Sequence, residues 1–153
     1  MEYRYLSQEE VGFLSSIFVT PEYDLYFAEN DTTEQEWKER CSLFDVEHSY
    51  IISKNNMDIG WIMYTLRNNI CELDIVVLLP TERYKGYGKE IFSDLLSRHP
   101  QINTIKLDVQ QRNKHAIEFY TKMGFRIISE ELHPVNGEAT PYYNMILNVI
   151  DRS

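Results

Sequence analysis

The stretch ELDIVVLLPTERYKGYGKEIFSDLL, residues 72–96, decides the fold. Ile75 to Leu79 is apolar, rich in β-branched residues and uninterrupted by charge, which predicts a strand in the middle of a sheet, buried on both faces. Pro80 ends it. Beyond the turn, Tyr87, Ile91, Leu95 and Leu96 recur at helical spacing, with Lys89, Glu90, Ser93 and Asp94 on the other side, so an amphipathic helix is predicted to begin near Gly86. The first N–H groups of a helix have no partners within it, and here they fall in a loop that carries Arg83, Lys85 and Lys89. Gly86 and Gly88 leave that backbone open to approach. Bare amides, the positive end of a helix dipole and neighbouring cations together predict an anion site suited to a phosphate or diphosphate.

Towards the N-terminus, Arg67-Asn68-Asn69 reads as the turn into this central strand, which starts near Ile70. Ile59 to Leu66 and His48 to Ser53 are strand-like runs joined by a hairpin turn at Asn55-Asn56. Tyr3 to Leu6 is a candidate first strand, and Ser7 with Glu10 a capping box that opens a first helix through Val11, Leu14, Ile17 and Phe18. Asp31 or Thr33 can cap a short helix through Glu34, Trp37 and Cys41. Towards the C-terminus, Ile105, Leu107 and Val109 alternate with Lys106, Asp108 and Gln110 as a strand. The strand, helix, strand succession favours a parallel pair. Asn113 caps a helix with an inward stripe of Ala116, Ile117, Tyr120 and Met123, and Gly124 closes it. Phe125 to Leu132 is a strand, His133 to Pro141 a polar loop, and Tyr142 to Ile150 the last strand, which completes the sheet as its hairpin partner. The expectation is a single α/β domain over residues 1–153, with a mixed sheet of about six or seven strands and about four helices.

Length and composition agree with this. A chain of 153 residues can bury a substantial core, and eleven Tyr argue against disorder over most of it. No run approaches the ~18 apolar residues of a membrane span, and MEYRYLSQEE does not open like a secretory leader, so a cytoplasmic protein is expected. Cys41 and Cys71 stand apart from any CxxC or Cys/His cluster and read as free thiols, with no metal site expected. Residues 1–48 hold twelve Asp or Glu against Arg4, Lys38 and Arg40, which accounts for the whole net charge of −9. Such a surface repels nucleic acid and suits cationic small molecules or basic peptides, although a merely solvated acidic face would look the same.

The glycine turn is not a Walker A loop, because Glu90 follows Gly88-Lys89 where a magnesium-binding Ser or Thr belongs. Nor is it a dinucleotide fingerprint, since Ile91 stands where the third glycine would. It reads R-x-x-G-x-G, Arg83 to Gly88, directly after the central strand, and this resembles the pyrophosphate loop of the GNAT (Gcn5-related N-acetyltransferase) superfamily. The segment IKLDVQQRNKHAIEFYTKMGF, Ile105 to Phe125, resembles the superfamily's second signature: a strand, then Asn113, then a helix with Tyr120 and a Gly124-Phe125 close. Together the two cover roughly residues 60–130.

The resemblance implies an acetyl-CoA-dependent N-acetyltransferase. Amides from Tyr84 to Lys89, including those of Lys85, Gly86, Tyr87 and Gly88, would hold the diphosphate beside Arg83. The strand opening at Val76, Val77 and Leu78 would take pantetheine, and Asn113 would meet the same arm. By the same likeness, the N–H near Val76 would stabilise the oxyanion, Glu72 would be the general base with Asp74 as partner or substitute, and Tyr120 would protonate the departing thiolate. The acceptor would lie between the N-terminal helices and the last strands, which points to Tyr23, Tyr26, Glu29, Asp31 and Trp37 on one wall and to Tyr142 within the His133–Tyr143 loop on the other. Aromatics interleaved with acids suit an alkylammonium, so a small cationic amine is favoured, with a protein N-terminus or lysine as the alternative. A sensor that binds acyl-CoA without turnover, and a homodimer, stay open.

Overall fold

The computed structural model describes residues 1–7, 48–135 and 137–149. These form strands β1 (Glu2–Tyr5), β2 (Ser49–Lys54), β3 (Met57–Arg67) and β4 (Ile70–Leu78), helix α1 (Tyr87–Arg98), strand β5 (Thr104–Gln110), helix α2 (Lys114–Lys122), and strands β6 (Arg126–Val135) and β7 (Glu138–Asn148). The strands make one seven-stranded sheet in the order β1-β2-β3-β4-β5-β7-β6. Every neighbouring pair is antiparallel except β4 with β5, which the α1 crossover makes parallel. The expected mixed α/β class is what the chain adopts. Two of the expected helices lie among the described residues, and the two placed in the first 48 residues fall outside them.

Local chemistry accounts for the turns. Asn55 and Asn56, between β2 and β3, take φ of 52° and 64°, the paired left-handed conformation of a tight hairpin, which Asn tolerates better than most residues. Asn68 does the same with φ of 56° before β4. Asn113 Oδ1 accepts from the Ala116 N–H at 3.3 Å and caps α2, while Gly124 leaves that helix at φ of 104°.

Both helices pack on one face of the sheet. Ile91, Phe92 and Leu95 of α1 join Tyr120 of α2, Phe125 and the strand residues Cys71, Leu73, Ile105, Leu107, Val109 and Met145 in a single core. Phe92 lies at its centre, with ring centroids 5.9 Å from Phe125, 6.1 Å from Phe119 and 6.3 Å from Tyr120. Burying one such ring stabilises the fold by roughly 1.5–3 kcal/mol. Cys71 is fully buried here as a free thiol, and burial pushes its pKa up to about 12, so it stays protonated.

The sheet has a defect where it matters. Parallel pairing of β4 with β5 runs from Ile70 opposite Thr104 to Leu73 opposite Leu107 and ends there. At the same point β4 bulges: Tyr64 faces Leu73 and Met63 faces Ile75, so Asp74 is the extra residue. A bulge bends its strand and shifts the alternation by one. Cys71 and Leu73 face the helices before it, and Val76 and Leu78 after it. The expectation of a strand buried on both faces therefore holds for Val77, at 2 % exposure, but not for Ile75, Val76 and Leu78, which are half-buried along the opening; the bulged Asp74 is exposed.

A second departure lies at the C-terminus. The segment His133–Pro141, expected as a loop, is mostly the end of a long hairpin in which His133 pairs with Thr140, Pro134 with Ala139 and Val135 with Glu138. Pro134 is tolerated because β6 is the edge strand and owes no hydrogen bonds on its outer side. Pro141 sits just past the end of the β5–β7 ladder, where its missing N–H costs that pairing nothing.

Candidate active site

The parting of β4 and β5 opens a cavity of about 410 Å³ under the start of α1. Ligand pockets usually begin at a few hundred cubic ångströms. Its floor is apolar, made by Leu73, Leu107, Ile91, Phe92, Phe119 and Tyr120, and its walls are Ile75 to Leu78 on one side and Val109 with Asn113 and Ala116 on the other. On its β5 side, β4 from Asp74 to Leu78 has no strand partner among the described residues, so its edge faces the cavity with backbone groups outside any ladder, of which the Leu78 carbonyl is taken by Arg83. An amide-bearing chain laid along that edge would recover the missing hydrogen bonds.

The glycine turn forms the mouth. Gly86 is the N-cap of α1 with φ of 80° and has no side chain to cap the helix, so the first amides of α1 are left for a ligand. A Cβ on Gly86 would meet nothing within 4 Å. At Gly88 a Cβ would stand 2.6 Å from Phe119 Cζ, so the missing side chain there also lets α1 pack against α2. Arg83 donates from Nε to the Leu78 carbonyl at 3.1 Å, which ties the turn to the end of β4, and burial lowers its pKa. Lys85 is paired with Glu82 at 3.1 Å, and Lys89 is exposed; neither lines the cavity, whereas Arg83, Tyr84, Gly86, Tyr87 and Gly88 do. Glu90, in the first turn of α1, is ion-paired with Lys54 at 3.1 Å, which offsets its repulsion of an anion at this helix end.

Acidic groups occupy the sheet beside the opening. Asp74 borders the cavity, and the Thr65 hydroxyl donates to its Oδ2 at 3.3 Å; Thr65 stands opposite Glu72, so both acids share one face, as expected. Glu72 itself does not line the cavity and lies 3.8 Å from Arg67 Nε. Asp108 of β5, which sequence reasoning left as one polar residue of an alternating strand, borders the cavity from the other side. Although both side chains reach solvent, partial desolvation at the rim first, and then neighbouring carboxylates, raise the pKa of both: Glu72 and Asp108 act on Asp74, and Glu131 and Glu72 on Asp108. Asp108, Glu131 and His133 each bring one ligating atom within 4.8 Å of the others, and His133 Nε2 lies 2.9 Å from Glu131 Oε2. Tyr142 lines the cavity next to them, with its ring 5.0 Å from that of His133, and burial raises its pKa.

Tyr120 lies on the cavity floor, 9 % exposed, among the rings of Phe92, Phe119 and Phe125. Thus the structure brings Asp74, Val76, Val77, Leu78, Arg83, Tyr84, Asn113, Tyr120 and Tyr142 to one cavity. Tyr23, Tyr26, Glu29, Asp31 and Trp37 lie outside the described residues. His115 and Asp108 were not singled out from the sequence. His115 could have been found as the residue two after the Asn113 cap, on the helix end that shares the mouth with the glycine turn.

Known proteins resemble this chain in family and in fold. The model of the Acetyltransferase (GNAT) family matches residues 14–125. No curated protein matches the chain significantly. Among solved structures, spermidine N-acetyltransferase from Vibrio cholerae in complex with CoA and spermine is similar at a TM-score of 0.77 and 16 % identity, over 96 % of this chain and 94 % of that one. AAC(6')-Ib in complex with ribostamycin and coenzyme A is similar at 0.78 and 18 %, over 99 % and 97 %. A putative acetyltransferase from Salmonella typhimurium with its cofactor acetyl-CoA is similar at 0.68 and 15 %, over 100 % and 96 %.

Proposed function

Because the chain belongs to the GNAT acetyltransferase family, we propose that it transfers the acetyl group of acetyl-CoA to a primary amine of a small cationic acceptor. The observation that carries this reading is the cavity itself. A parted strand pair, an uncapped helix start and two carboxylates meet at one opening, with a tyrosine on its floor. The turn amides of Tyr84 to Lys89 take the diphosphate, each charge-assisted bond contributing about 1.5–3 kcal/mol before the cost of ordering the ligand. Pantetheine lies along Val76 to Leu78 and meets Asn113, and the N–H near Val76 faces the thioester oxygen, where charge develops on attack.

An alkylammonium with a pKa near 10.4 is deprotonated in only about one molecule in a few thousand at pH 7, so a base must take a proton. Glu72 and Asp74 do this as a pair, directly or through a water. Asp74 is the member at the cavity, and the charge of Glu72 raises its proton affinity. The amine nitrogen then bonds to the acetyl carbon, the carbon–sulfur bond breaks, the Tyr120 hydroxyl protonates the leaving thiolate, and the second proton that the nitrogen sheds as the amide forms restores the tyrosine. Asp108 and Glu131 extend the negative wall beyond Asp74, and Tyr142 adds an aromatic face. A spermine- or aminoglycoside-like cation suits such a wall by charge and cation–π contact, and two similar structures are complexes with spermine and with ribostamycin.

The test is thiol release from acetyl-CoA across a panel of amines, with product masses read alongside. Polycationic amines should turn over faster than neutral ones. Binding of acetyl-CoA without release for any amine or lysine peptide would instead make the protein a non-catalytic acyl-CoA sensor.

A further inference from the structure

We propose that the Tyr84 and His115 rings form a platform for the adenine of CoA, so that the chain reads the nucleoside end of its donor as well as the thioester arm. This rests on the reading above that the turn amides hold the diphosphate. Tyr84 has two features that folding does not explain. Its φ is 64°, a left-handed conformation that a bulky side chain avoids, and its ring is 82 % exposed, so no buried area compensates for it. A glycine or asparagine would hold the same backbone without strain. The conformation instead aims a large ring at the mouth, where it meets His115 edge to face, with centroids 5.5 Å apart and planes at 78°. Both residues line the cavity, Tyr84 from the glycine turn and His115 from the start of α2, so the pair bridges its two rims.

The chemistry of CoA says what should lie there. Its diphosphate joins pantetheine to adenosine. With pantetheine directed inward past Val76 towards Tyr120, adenosine must leave on the outer side of the turn, where an exposed ring offers a face to a purine. Lys114, next in sequence to His115 and exposed, adds positive charge for the ribose phosphate.

The experiment is calorimetric titration of the whole chain with acetyl-CoA and with acetyl-phosphopantetheine, which keeps the arm and its adjoining phosphate but lacks the second phosphate and the adenosine. Tyr84→Asn removes the ring while tolerating the left-handed backbone. It should weaken acetyl-CoA binding by about tenfold or more and leave acetyl-phosphopantetheine within about twofold of wild type. Tyr84→Phe should stay within about twofold for both ligands. An equal loss for both ligands in Tyr84→Asn would make Tyr84 a shaper of the loop and overturn the platform, as would full retention of acetyl-CoA affinity. Wild type binding neither ligand would instead fell the diphosphate reading, and the platform with it.

Discussion

Tyr120 and Asp74 are where chemistry and folding pull in different directions. The Tyr120 ring belongs to the core whatever else it does, so Tyr120→Phe keeps the packing and removes only the hydroxyl. It should lower kcat at least about tenfold with cofactor affinity nearly unchanged, as steady-state kinetics and titration can show. Asp74 has its pKa raised by burial and by Glu72 and Asp108, so the folded state holds that proton more tightly than the unfolded chain does. Its contribution to stability is therefore present in acid and lost as pH rises through the raised folded value. Asp74→Asn should accordingly raise the Tm at neutral pH, match wild type below the ordinary carboxylate range, and flatten the acid limb of the rate profile. Gly88→Ala drives a methyl group into Phe119 Cζ and should destabilise the protein by roughly 1–3 kcal/mol in denaturant titration. These residues differ in how far the sequence exposes them. Asn113 and Gly86 announce themselves because capping and left-handed turns are local, whereas Gly88 answers to a ring thirty-one positions away in another helix.

At the level of elements, the bulge at Asp74 and the end of pairing at Leu73 and Leu107 make the opening, and neither is written in a local pattern. Alternation in β5 marks Lys106, Asp108 and Gln110 as one polar face, but only the parting of β4 from β5 puts Asp108 at the rim. The far end of the β6–β7 hairpin, His133 to Pro141, was hidden for a different reason. Pro134, Gly137 and Pro141 are turn signals in isolation, and only an edge strand and a ladder end make the prolines harmless. The strands, α1, α2 and the glycine turn were legible because their periods and breakers are strong. Hydrogen exchange reads the opening directly. Addition of acetyl-CoA should slow exchange at amides between Asp74 and Leu78 and between Tyr84 and Lys89, while those of β1 and β2 stay unchanged; uniform protection along the sheet would mean a global effect instead of ligand seated in the gap.

For the whole molecule, the family and the sheet order explain one another: the parallel pair forced by the α1 crossover is the pair that parts, and it parts beside the only strand-to-helix turn here whose helix start has no side-chain cap among the described residues. No helix among the described residues is long and apolar enough to cross a membrane. The acceptor wall is the least legible part, because Tyr23, Tyr26, Glu29, Asp31 and Trp37 belong to the acidic first third outside the described residues, while Tyr142 alone of the expected set is seen to reach the cavity. The central claim, that the opening between β4 and β5 receives acetyl-CoA, is tested most directly by calorimetric titration of the folded protein with that compound. Saturable heat at one ligand per chain, abolished by a bulky side chain at Gly86, is the result this account predicts; a folded protein that gives no saturable heat, or one whose heat survives that substitution, would contradict it.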